Sequence, residues 1–188
     1  KLKIFQDMDS RATYLAELDK IDQDKADWYL LLKDKSTDQL RYQPNPYVWS
    51  AFHILQHLIR TEATILQYCS KKVQAKDLKK VSLLTAAKTW YMQFALRQRV
   101  IKYRAPKYVK PDDIAPDINL DEAFGQWTQV RKQWKDFIVS MPEDKLNKEV
   151  YKQPFAGRLG WYGTMKFING HMARHRVQLE KVLAGKIK

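Results

Sequence analysis

Cysteine is nearly absent. Cys69 stands alone in 188 residues, so no intramolecular disulfide can form and thiol usage does not point to an oxidising compartment. Glycine and proline are scarce too, at six and seven residues, and no segment sustains the alternating pattern of a strand. That scarcity leaves an all-α fold. No run approaches the ~18 consecutive apolar residues of a membrane span. The expectation is a soluble, cytoplasmic protein with no membrane partner. The chain starts at Lys1 rather than at a methionine, which leaves open whether a leader was removed.

Acidic residues thin out after the first quarter of the chain. Residues 1–50 hold eight Lys/Arg against nine Asp/Glu, whereas the remainder holds 26 against 12, and the net charge is +13. Bases cluster at Lys71, Lys72, Lys76, Lys79 and Lys80, and six more fall between Arg97 and Lys110 without an acid. Such a field attracts polyanions, although a solubilising surface has the same composition. A basic polyanion- or nucleic-acid-binding module is therefore an alternative function, and a metal-free dimerisation scaffold is another. No nucleic-acid-binding motif accompanies the charge, which ranks nucleic acid low among partners.

Apolar residues at 45%, with six Trp, ten Tyr and seven Phe, supply enough material for one packed core, so residues 1–188 are expected to form a single domain. The periodicity predicts a helix from about Met8 to Leu32, with Tyr14, Leu18, Ile21, Trp28 and Leu32 inward. A connection follows over 33–46. A second helix starts at the N-cap Ser50 and carries the arc Ala51, Ile54, Leu55, Leu58, Ile59, Ile65 and Leu66. After a lysine-rich loop, a third is predicted from Val81 to Tyr103, with Leu84, Trp90, Phe94, Val100 and Ile101 supplying apolar contacts. The stretch from Arg104 to Ile118 contains three prolines and must run irregularly across the surface. Asn119 and Glu122 form a capping box for a helix whose stripe includes Phe124, Trp127, Val130, Trp134, Ile138 and Met141. A turn-rich segment, 142–160, leads into a last helix from Gly160 to Leu183. The tryptophans, at helical spacing, read as packing.

Only four histidines occur, and they fall in two pairs, His53/His57 and His171/His175. Residues four apart stand one above the other on a helix, about 6 Å along its axis. His171 and His175 share a stripe with Met165, Ile168, Met172, Leu179 and Val182, so both imidazoles are placed to meet one divalent ion. On the second helix His57 flanks the apolar arc and His53 lies farther round, which favours His57 as the inward group. The run from His171 to His175 has zinc-protease spacing, but Met172 stands where the general-base Glu would be, so proteolysis is not expected. Cys69 reads as core, Arg174 as a surface residue rather than one facing an anionic substrate, and Glu62 as a mainly structural group that could instead support a ligand or an arginine. Gly157, Gly160 and Gly163 follow no strand and make no phosphate loop.

Several strings together carry a family resemblance. Pro154 to Leu159, Trp161, Phe167-Ile168, His171, Arg174-His175 and Gln178-Leu179 resemble the closing segment of the DinB-like superfamily. Trp49-Ser50 with Leu55, His57-Leu58 and Glu62 is similar to its second helix, and Arg104-Ala105-Pro106, Pro111 and Pro116 to its crossing segment. The resemblance implies a four-helix bundle with up-down-down-up connectivity, an extra short helix and a homodimeric state. It also implies a three-histidine site, His57, His171 and His175, for a divalent metal ion such as zinc or nickel, open to solvent at one end of the bundle. His53 matches no ligand. The activity implied is that of a metal-dependent transferase or hydrolase-like enzyme, with low-molecular-weight thiol S-transferases and a maleylpyruvate isomerase among the relatives, acting on a small-molecule substrate.

Overall fold

Short polar side chains begin five of the seven described helices. The computed structural model describes residues 10–98 and 118–186. Ser10 caps α1 (Arg11–Leu32), Ser36 caps α2 (Thr37–Arg41), Ser50 caps α3 (Ala51–Lys72), and Ser82 caps α4 (Leu83–Arg97). Asn119 and Glu122 form the expected reciprocal box at α5 (Leu120–Ser140). Each cap satisfies backbone N–H groups that the first turn leaves unpaired, contributing about 1 kcal/mol. The one-turn α6 (Glu143–Leu146) and the hairpin β1 (Glu149–Gln153) and β2 (Gly157–Gly160) precede α7 (Trp161–Leu183).

The long helices close a ring. α1 packs on α5 and α7, and α3 packs on the same two, so α1 and α3 face each other diagonally across the core. Trp28, Trp127, Trp134 and Trp161 are fully buried there, with the Trp28 and Trp127 rings edge to face at 6.0 Å. The fold is an all-α helical bundle with one small antiparallel hairpin among the described residues. A buried ion pair crosses the core. Arg131 of α5 donates to Glu62 of α3 at 2.7 Å and also reaches the sulfur of Met172 in α7 at 3.2 Å. The arginine anticipated for Glu62 is therefore Arg131.

Three expectations need correction. The connection over 33–46 contains α2, whose capping box and buried Leu40 stabilise a single turn and a half. The turn-rich segment 142–160 contains the hairpin, paired Tyr151 to Leu159 and Gln153 to Gly157, so Gly157, Gly160 and Gly163 do follow a strand, against the expectation. The hairpin's tight connection places Gly157 at φ +79°, a conformation that a side chain disfavours. The third correction concerns α4, where the inward face is the reverse of the prediction. Thr85, Thr89, Met92, Ala95 and Leu96 are buried, whereas Leu84, Trp90 and Phe94 face outward. Close approach to α7 explains the reversal. A Cβ on Gly163 would lie 2.5 Å from the Thr89 hydroxyl oxygen, so only a small residue on each helix fits the contact. Met8, Val100, Ile101, Tyr103 and the crossing segment up to residue 117 lie outside the described residues.

Candidate metal centre

Two adjacent members of the ring, α3 and α7, carry the histidines. Nε2 of His57 lies 3.2 Å from Nε2 of His171, which lies 3.1 Å from Nε2 of His175. Residues 114 apart in the chain thus present the same ring nitrogen to one point. One ligand nitrogen from each of the three falls within 4.8 Å of the others. Four ligands held tetrahedrally at ~2.0–2.1 Å from an ion stand about 3.4 Å apart, so the donor set fits a divalent cation with little movement.

Two of the rings disfavour protonation, and one of these is also oriented by a partner. Burial, followed by the neighbouring His175 and His57 rings and then Arg174, keeps His171 well below the ordinary imidazole range. Burial and the His57 ring bring His175 down to about 3, against an opposing contribution from Gln178. Nδ1 of His175 donates to Oε1 of Gln178 at 2.9 Å, leaving the Nε2 lone pair directed at the centre. Aromatic faces enclose the rest. Phe167 stacks on His171 with ring centres 5.4 Å apart, and Trp49 lies 4.9 Å from His57 and stacks over His175 at 6.1 Å. His57 is buried, while His171 and His175 keep part of their surface, so the centre opens outward along α7.

A sequence model of the DinB superfamily matches residues 20–179, most of the chain and all three of these histidines. The chain belongs to the DinB superfamily. No curated protein matches it, and no solved structure does.

Within this DinB bundle the remaining candidates separate clearly. His53 stays out of the centre. Its Nδ1 lies 2.6 Å from the Ser50 hydroxyl and accepts from the Ser50 backbone N–H, completing the capping box of α3. Arg174 is half-buried rather than a plain surface residue, and donates to the Gln98 carbonyl at the end of α4. Cys69 is buried, and desolvation pushes its thiol far above the usual range, as suits a core residue. Trp49, Phe167 and Gln178 were legible only as family motif residues. Gln178 had one further signal, since a residue three past a histidine on a helix lies on the same face.

Proposed function

We propose that the protein is a divalent-metal-dependent enzyme in which His57, His171 and His175 are the protein ligands, with zinc or nickel as the ion. The observation that carries this is the convergence of three Nε2 atoms, with His171 and His175 disfavouring protonation and the His175 tautomer fixed by Gln178. Three neutral imidazoles leave a coordination position for a substrate, as in catalytic rather than structural sites. A divalent ion bound there supplies Lewis acidity, favouring the deprotonated form of a thiol or water brought to it.

The chain's own residues supply the remainder. Gln178 orients the His175 ring, Phe167 and Trp49 limit water around the imidazoles, and Met172 leaves the helix without a built-in carboxylate base. That combination suits a substrate carrying its own acidic proton, and a low-molecular-weight thiol is such a substrate. The reaction class is S-transfer, in which the thiol gives up its proton and its sulfur bonds to an electrophilic carbon of the acceptor, whose leaving group departs with the electron pair of the bond broken.

Elemental analysis and a thiol-consumption assay test the two halves separately. Protein purified without chelator is expected to hold close to one divalent ion per chain, and His57→Ala to lose it. The loaded protein is expected to consume a thiol with an electrophilic acceptor, and chelation to stop it. Failure to bind any divalent ion on titration removes the whole reading. Stoichiometric binding without thiol consumption removes the transferase assignment alone.

A further inference from the structure

The outer face of α4 is built the wrong way round for a helix facing water. Leu83, Leu84, Trp90, Tyr91 and Phe94 are 72%, 64%, 70%, 52% and 49% exposed, while Thr85 and Thr89 are buried beneath them. Leu83, Ala87, Trp90 and Phe94 recur at helical spacing along one line, with Leu84 and Tyr91 beside it. Trp90 and Phe94 stack at 5.8 Å with their planes 13° apart, making a flat aromatic plate. The exposed area is on the order of 600 Å², at the upper end of what a monomer leaves open without a use for it.

We propose that this face docks the protein on an anionic lipid bilayer surface. The charge along the segment that carries it is of one sign. Lys79 and Lys80 precede the apolar line, Lys88 flanks it and Arg97 follows it, and the sequence has no acid between Asp77 and Asp112. The occupant must therefore accept hydrocarbon and cations together. Shape narrows the choice. The inner side of α4 is taken by α7 and β2, so the outer side is a convex ridge. An amphipathic peptide helix needs an apolar groove to lie in, and the groove at the edge of this face, beside Trp90 and Tyr162, follows the α4–α7 seam and takes in none of Leu83, Leu84, Tyr91 or Phe94. A second copy set ridge to ridge would turn the same cations toward each other. Nucleic acid would bring phosphates against leucine and phenylalanine.

A bilayer accepts every part. Leucine and phenylalanine side chains enter the acyl boundary, tryptophan and tyrosine rest at headgroup depth, and lysine and arginine meet anionic headgroups. This departs from the expectation of no membrane partner, which rested on the lack of a spanning run: no described helix is long and apolar enough to cross a membrane, and contact along one helix face requires none. The inference is independent of the histidine centre, which lies on α3 and α7.

Flotation of the full chain with vesicles tests it. At low salt the protein is expected to float with vesicles of equal phosphatidylcholine and phosphatidylglycerol and not with phosphatidylcholine alone. Leu84→Ser combined with Trp90→Ser is expected to abolish flotation with an unchanged far-ultraviolet spectrum, since both side chains are exposed. Neutralising Arg97 with Arg97→Gln is expected to weaken binding about fivefold, from the loss of one cation near the surface. Absence of flotation with the anionic vesicles overturns the proposal. So does flotation that the double variant leaves intact, or a wild-type dimer in sedimentation that the double variant dissociates, which would assign the face to a second copy.

Discussion

Gln178 accepts the Nδ1 proton of His175 at 2.9 Å from one turn along the same helix, and so fixes which nitrogen of that ring is free. The pair links a residue that is not itself a candidate ligand to the geometry of one proposed to hold the metal. Gln178→Leu is expected to weaken divalent-metal affinity by about 10–100-fold, the usual cost of losing an orienting partner, with stability little changed. His57→Ala is expected to weaken it further, because a donor is removed outright. Competition titration with a chromogenic chelator measures both, and equal affinities for Gln178→Leu and wild type would remove the orienting role.

The two histidines of α3 provide an internal control. His53 spends Nδ1 on the Ser50 cap, so His53→Ala is expected to cost about 0.5–1 kcal/mol of stability and leave metal stoichiometry intact. Urea unfolding and elemental analysis on the same preparation read the two effects separately. Loss of metal in this variant would contradict the placement.

Arg131 and Glu62 form a pair almost wholly removed from water. Burial raises the Glu62 carboxyl and Arg131 opposes that rise, so the arginine keeps the carboxylate tolerable in the core. Arg131→Met leaves a buried acid without its partner and is expected to destabilise by roughly 3–5 kcal/mol. Replacing both, Arg131→Met with Glu62→Leu, is expected to recover much of the loss. A double-mutant cycle by urea denaturation checks this.

Acid should loosen the metal-free protein earlier than carboxylate titration alone would. The folded His175 is held at about 3 and His171 well below its ordinary value of 6.5, so below pH 6.5 the unfolded chain binds protons that the fold excludes. Their contribution to stability is complete above about pH 6.5 and is lost progressively as pH falls toward about 3. Melting temperature followed from pH 7 to pH 4 is expected to fall less steeply in His171→Gln than in wild type.

Much of this could be seen in the chain. Ser50, Asn119 and Glu122 announce helix starts because a cap is a local hydrogen bond between neighbours. Trp127 and Ile138 announce a buried stripe because their helix has one clearly richer face, whereas Tyr14 and Ile21 show only the spacing on a helix whose apolar residues are spread around it. The grouping of His57, His171 and His175 followed from spacing on two helices together with family resemblance. What escaped depends on partners. On α4, periodicity locates the Trp90–Phe94 stripe but cannot say which side meets protein, and Gly163, 74 residues beyond Thr89, decides it. The hairpin escaped for a related reason. Its pairing joins short polar strands, Glu149 to Gln153 and Gly157 to Gly160, with no alternation long enough to register. Trp49 sits before its helix, and only the meeting of α3 with α7 lays its ring against His57 and His175.

The wide separation of His57 from His171 along the chain imposes an order of events. An unfolded chain offers an ion at most two neighbouring rings, so full occupancy has to wait until the first and last thirds of the polypeptide have docked. An ion bound as proposed would be a clasp across that span. Opening the bundle would then require releasing it, and the loaded protein would resist heat in proportion to how tightly the clasp holds.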